Sequence, residues 1–170
     1  MTDKFVNLFG IADDSIVDGP GVRLAIFTQG CAHNCEGCHN PQAQAFDGGI
    51  LTCIDEILDK VRANPLLAGI TLTGGEPFEQ AEGLLDLARV VREECGLTVW
   101  AYSGYLFEQL LEGIPSAHAR KLLQHIDVLV DGPFIEQKRS LDLRWRGSAN
   151  QRVIDVQASI KVGQVVLWQQ

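Results

Sequence analysis

The chain has 170 residues, 46% of them apolar, and its 14 basic and 22 acidic side chains give a formal charge of -8. That is the size of one packed domain, expected over residues 1–170, and the negative balance argues against non-specific binding to nucleic acid or to an anionic membrane. No apolar run approaches the roughly 20 residues that span a bilayer. The first stretch, MTDKFVNLFGIADDSIVDGP, lacks the basic start and apolar centre of a secretory signal, so a soluble cytoplasmic protein is expected.

In chain order, Asp18-Gly19-Pro20-Gly21 reads as a turn, followed by a buried strand over residues 22–29 (VRLAIFTQ) that Gly30 ends. Apolar residues at Leu51, Ile54, Ile57, Leu58 and Val61 predict a helix over 51–63, with Thr52 or Asp55 placed to cap it. Residues 68–73 (AGITLT) predict a second strand ending in Gly74-Gly75-Glu76-Pro77. A helix over 81–94 follows, with Leu84, Leu85, Ala88 and Val91 on one side. Residues 97–102 predict a third strand, 105–111 and 117–125 short helices, and 126–130 a fourth strand ending in Asp131-Gly132-Pro133. Beyond it the rhythm weakens: 152–160 alternates loosely and 165–168 reads as a final short strand.

Strands that alternate with helices predict an α/β fold with a mainly parallel sheet. A closed eight-stranded barrel needs about 250 residues, so a partial, open β/α barrel fits this length better. The cysteine-containing loop, the Gly-Gly-Glu-Pro turn, the Tyr102-Ser103-Gly104 turn and the Asp131-Gly132-Pro133 turn all follow predicted strands. In a parallel sheet those ends share one edge, where ligands bind.

The cysteines are Cys31, Cys35, Cys38, Cys53 and Cys95, an odd number, with three inside eight residues. This spacing reads as a metal site in a reducing compartment rather than a disulfide framework. Thiolates suit zinc and iron–sulfur clusters alike. Zinc needs a fourth ligand, which His33, His39, Cys53 or Cys95 could supply. A four-iron cluster on three thiolates leaves one iron open to a substrate. Cys53 and Cys95, on predicted helices, read as buried or incidental.

C-x3-C-x2-C followed by GGEP resembles the radical S-adenosylmethionine superfamily. The segments GPGVRLAIFTQGCAHNCEGCHNP, TLTGGEPF, WAYSGY, VLVDGPF and LRWRGSANQRVID are similar, in this order, to those of the proteins that activate anaerobic ribonucleoside-triphosphate reductases. Many superfamily members carry an aromatic residue before the third cysteine; Gly37 stands there, as in the reductase-activating group. The resemblance implies a [4Fe-4S] cluster on Cys31, Cys35 and Cys38, with S-adenosylmethionine chelating the fourth iron. It implies cleavage of that cofactor to a 5'-deoxyadenosyl radical, which takes a hydrogen atom from a glycine of the partner reductase. A flavodoxin or ferredoxin would supply the electron. The cluster and the cofactor carry the chemistry, so no side chain is assigned a catalytic role.

On this reading Gly74, Gly75, Glu76 and Pro77 contact the cofactor: glycines admit a ligand close to the backbone, and a carboxylate and carbonyls can accept from its ammonium. Ser103 and Asp131 are further candidate contacts, each of which reads equally well as part of a turn. Asn34 and His39 flank cysteines and suit supporting hydrogen bonds; Asn40-Pro41 ends the loop. Lys138, Arg139, Arg144, Arg146 and Arg152 make a basic run in an acidic chain, either a solvated face or a docking surface for the reductase. Competing readings are an activase of another glycyl-radical enzyme, such as pyruvate formate-lyase, a non-catalytic zinc module, and an enzyme modifying a small molecule or RNA. A chain this short leaves little wall to enclose a small substrate, whereas an incomplete barrel leaves an opening for a protein loop.

Overall fold

The computed structural model describes residues 4–170; residues 1–3, the start of the expected domain, lie outside the described part. The strands are β1 (Phe5–Ser15), β2 (Val22–Thr28), β3 (Ile50–Cys53), β4 (Leu67–Gly74), β5 (Thr98–Tyr102), β6 (Val128–Asp131) and β7 (Arg152–Asp155). The helices are α1 (Ile54–Ala63), α2 (Ala81–Arg89, continued by a π-helical turn over Val90–Glu94), α3 (Phe107–Leu111), α4 (Ala117–Leu123) and α5 (Val156–Val162). The strands form one seven-stranded sheet in the order β3-β1-β2-β4-β5-β6-β7.

The sheet is mixed and open, which corrects the expectation of a mainly parallel one. Its centre, β2, β4, β5 and β6, is parallel. The flanking pairs β1–β2, β1–β3 and β6–β7 are antiparallel. Connection length decides the first of these: residues 16–21 are too few for a parallel crossover, so the chain reverses. The four parallel strands step across the sheet in one direction, and crossovers of one hand then place the helices on one face.

That face carries the main core. Ile54, Ile57, Leu58 and Val61 of α1, Leu84 and Leu87 of α2, Leu110 of α3 and Leu122 of α4 pack with Leu24, Ile26, Ile70, Leu72, Val99 and Leu129 of the strands. The helical period read for residues 54–61 is the period observed. Residues 50–53 instead form β3, paired with β1, and Leu51 is 69% exposed. Neither Thr52 nor Asp55 stands at the helix cap, a position held by Cys53. The loosely alternating stretch from 152 divides into β7 and α5, where Asp155 caps α5 by accepting from the Ala158 amide at 3.0 Å. Residues 165–168 make a single bridge, Ile154 to Leu167, rather than a strand.

The opposite face is built differently. Trp100, Val128 and Val130 form a small cluster with Tyr102, Trp145, Val153 and Trp168. Beside it Arg23 is fully buried. Its five N–H groups all find acceptors: Nε on Thr71 Oγ1, Nη1 on the Pro20 carbonyl and Thr98 Oγ1, and Nη2 on the Ile70 and Thr98 carbonyls, at 2.7–3.2 Å. Burial lowers its pKa to about 10, and the guanidinium lies 5.6 Å from the Trp100 ring centroid. Thr71 Oγ1 in turn donates to the Asp18 carbonyl at 2.6 Å. Arg23 and Thr71 therefore fasten the 16–21 segment across this face, at one lip of the site described next. No helix among the described residues is long and apolar enough to cross a membrane.

Candidate metal and cofactor site

The ends of β2 and β4 are knitted together. Thr28 and Gly74 are the last parallel pair. Beyond them the Gly75 amide donates to the Thr28 carbonyl and the Glu76 amide to the Gly30 carbonyl, both at 2.8 Å. Gly74 has φ +94°, and a Cβ there would stand 2.5 Å from the Thr28 nitrogen; a Cβ on Gly75 would stand 2.5 Å from the Gly30 carbonyl. Both glycines are thus required by the approach of two backbones, whatever ligand lies above. Pro77 opens a buried 3-10 turn behind them.

The cysteine loop leaves from this junction. The Gly30 and Cys31 amides donate to the Ala43 and Gln44 carbonyls at 2.7 and 3.0 Å. Gln29 Nε2 closes the loop on the Gln42 and Ala45 carbonyls. Asn34 and Gly37 have φ of +50° and +76° and turn the chain twice between the cysteines. A Cβ on Gly37 would collide with the Glu136 carboxylate and press on the Phe134 ring, so the space an aromatic residue would need is already filled. His39 packs edge-on to Phe134 at 5.4 Å.

Cys31, Cys35 and Cys38 line one cavity of about 840 Å³ together with Gly74, Gly75, Glu76, Tyr102, Ser103, Gly104 and Gly132. The shared strand edge read from the sequence is therefore where the three cysteines and residues of all three turns converge. Pro77 and Asp131 do not reach its wall. Asp131 is fully buried; its carboxylate accepts from the Phe107 amide at 2.8 Å and pairs with Arg152 at 2.5 and 3.0 Å. Arg152 also forks onto Glu108 at 2.8 and 3.1 Å. One member of the basic run is thereby committed to ion pairs within the chain. Arg144 remains exposed, its guanidinium 5.0 Å from the Trp145 ring centroid. Arg146 braces the 149–151 turn through the Ala149 and Gln151 carbonyls.

Glu76, 1% exposed, is the most heavily bonded group at the site. Oε1 accepts from the Phe78 amide at 3.1 Å and from Ser103 Oγ at 2.8 Å. Oε2 accepts from the Gly104 amide at 2.8 Å and lies 2.7 Å from His33 Nε2. The hydrogen bond to Glu76 raises the His33 pKa above its usual value of 6.5, against an opposing effect of burial. Ser103 Oγ also accepts from the Tyr105 amide at 3.0 Å, and Tyr105 donates its hydroxyl to Glu79 at 2.6 Å. Sequence reading considered His33 only as a fourth zinc ligand and missed its tie to Glu76. It also missed the apolar rim of the cavity, where Ile16, Val17 and Leu141 are 71%, 75% and 90% exposed. Two adjacent apolar residues in a turn between strands were the available signal.

Three thiol side chains on one loop are a donor set that an iron–sulfur cluster can use. None of the five cysteines forms a disulfide. Among the described residues, no three His, Cys, Asp or Glu side chains converge closely enough to hold one metal ion. Burial, aided by Glu76 and the neighbouring cysteines, pushes the Cys31 thiol up to about 11, so loading must release its proton. The cavity has the volume of a small-molecule site, about 300–1,000 Å³.

Comparison with known proteins agrees with this donor set. Residues 17–154 match the family model described as a 4Fe-4S single cluster domain. The anaerobic ribonucleoside-triphosphate reductase-activating protein of Haemophilus influenzae is 35% identical over 145 residues, covering 80% of this chain and 89% of that protein. Its counterpart in Vibrio cholerae is 36% identical over 144 residues, with 80% and 89% covered. The counterpart in enterobacteria phage T4 is 31% identical over 142 residues, with 81% and 86% covered. With this identity over about four fifths of the chain and most of each relative, the chain belongs to the family of anaerobic ribonucleoside-triphosphate reductase-activating proteins.

Proposed function

We propose that this protein activates an anaerobic ribonucleoside-triphosphate reductase by radical chemistry on S-adenosylmethionine. One observation carries the reading: the three cysteines share a cavity with the Gly74-Gly75 junction and the Ser103 turn, at the strand edge where ligands bind in parallel sheets. Cys31, Cys35 and Cys38 would hold a [4Fe-4S] cluster with one iron left for the cofactor. When bound, cluster and cofactor supply a one-electron cleavage whose adenosyl radical takes hydrogen from a glycine of the reductase.

The chain's own residues bind and orient. The Thr28–Gly75 and Gly30–Glu76 hydrogen bonds fix where the cysteine loop begins relative to the Gly-Gly turn. Gly74, Gly75 and Ser103 would line the cofactor's seat, while Pro77 and Asp131 support it from behind. The rim formed by Ile16, Val17 and Leu141, with Arg144 beside it, would receive the partner's loop and exclude water around the radical. A flavodoxin or ferredoxin in the cytoplasm would donate the electron.

The test is anaerobic electron paramagnetic resonance of the reconstituted, dithionite-reduced protein, with and without S-adenosylmethionine. The reduced sample is then incubated separately with an anaerobic ribonucleotide reductase and with pyruvate formate-lyase. A [4Fe-4S] signal that changes shape with the cofactor, and a glycyl radical on the reductase alone, are expected. A radical on pyruvate formate-lyase instead would reassign the partner. Zinc in place of iron after verified reconstitution would refute the catalytic reading.

A further inference from the structure

Three of the loops that line the cavity follow neighbouring parallel strands: the cysteine loop after β2, the Gly-Gly-Glu-Pro turn after β4 and the Ser103-Gly104 turn after β5. A single carboxylate joins them. Glu76 takes a donor from the cysteine loop (His33 Nε2), one from its own turn (the Phe78 amide) and two from the β5 turn (Ser103 Oγ and the Gly104 amide). A carboxylate offers about four acceptor sites, so at 1% exposure this group has neither an open face nor a spare lone pair.

His33 sits in a socket. Besides its 2.7 Å contact to Glu76, its ring meets Tyr105 edge-on at 4.5 Å. Glu79 holds Tyr105 in place through the phenol hydroxyl. On the remaining side the ring packs against Gly104, where a Cβ would stand 2.5 Å from His33 Cδ2. His33 is thus pinned on three sides.

We propose that Glu76 is an internal knot and not a ligand of the cofactor's ammonium, and that His33 is a positioning residue that registers the cysteine loop against the β5 turn through it. This inference rests on the proposed function for its consequence in cofactor binding, while the latch itself is a property of the chain. The cofactor's ammonium is then received by groups other than the Glu76 carboxylate. His33 would thereby hold the cysteines that flank it in register with the Ser103-Gly104 turn.

The experiment compares the full chain with His33→Ala, His33→Gln and Glu76→Gln. Hydrogen exchange of peptides covering residues 31–38 is measured on the cluster-free chain, and cofactor titrations are followed by the spectrum of the reduced cluster. His33→Ala should speed exchange across 31–38 by about tenfold, the effect of one charge-assisted hydrogen bond. It should retain iron but need about tenfold more cofactor to change the spectrum. His33→Gln, whose amide can donate to the same oxygen, should recover most of both losses.

Unchanged exchange in His33→Ala overturns the latch, with no reference to any cluster. Cofactor binding that falls about a hundredfold in Glu76→Gln while staying level or tightening in His33→Ala assigns Glu76 to the ligand and overturns the knot. Failure of the parent chain to take up a cluster would refute the proposed function instead, and the exchange result would still decide the latch.

Discussion

The two faces of the sheet are made to different specifications. The helix-covered face is a continuous apolar layer in which Leu84, Leu87, Ile70 and Leu72 are fully buried. The other face buries an arginine, a threonine and a tryptophan, and then opens into a cavity bordered by thiols and one saturated carboxylate. Apolar burial is non-directional and tolerates local adjustment. The polar face holds its shape through particular hydrogen bonds, each of which fails if its partner moves. The first face provides stability, and the second fixes where loops end.

The sharpest way to break this comparison is at the cysteines. Replacing Cys31, Cys35 or Cys38 by serine should abolish iron–sulfur loading, seen as loss of iron and sulfide after reconstitution. The melting of the metal-free chain should move little, since these positions are only half-buried and such substitutions usually cost within about 0.5 kcal/mol. A large loss of stability would mean the cavity face is itself part of the core.

Leu84→Ala tests the other side. It should cost about 2–5 kcal/mol in denaturant unfolding, and the protein that remains folded should still load iron normally. Arg23→Met sharpens the comparison, because Arg23 belongs to the polar face yet touches no cavity wall. Loss of its donors leaves buried carbonyls unpaired, at about 1–3 kcal/mol for each group that water cannot reach. It should also free the 16–21 lip, measured as faster hydrogen exchange there.

Arg144→Ala is a smaller effect on the cavity rim. It should weaken association with the reductase by about tenfold at low salt, and less at high salt. Cofactor cleavage in the absence of the partner should stay intact. Arg144 is a cleaner choice than Arg146 or Arg152, which hold the 149–151 turn and Asp131 in place. Loss of cleavage with normal association would move Arg144 into the cofactor seat.

The smallest effect lies at Glu108, whose pKa is held below its usual 4.5 by the hydrogen bonds from Arg152. A depressed carboxylate contributes stability above its unfolded value and loses it as pH falls through the folded one. Glu108→Gln should therefore cost about a few tenths of a kcal/mol near neutrality, as expected of an exposed pair. The difference from the parent should fade below pH 4.5. A difference that persists in acid would mean the side chain acts through packing.

Much of the site was legible because its residues follow strand ends. Strands of a parallel sheet run the same way, so loops after β2, β4 and β5 had to meet at one edge, and they do. The glycines of the Gly-Gly turn were legible as a requirement for close approach; what approaches Gly74 is Thr28 of the neighbouring strand. Glu76 was legible as a functional position, but its four donors come from segments up to 43 residues away in sequence. Asp131 read as a candidate ligand for the same reason: nothing local shows that Arg152 will return to claim it.

The sequence by itself determined the helical period of α1 and α2, the central parallel strands, the thiol donor set and the edge on which it would sit. These follow from short-range periodicity and from the right-handed connectivity of β–α–β units. Only the tertiary structure decided that β1 and β7 flank the centre antiparallel, that Arg23 is buried with every donor met, and that Glu76 binds three loops together. Pairing direction and hydrogen-bond partners depend on which distant segment arrives, and a residue's own neighbours along the chain carry no record of that.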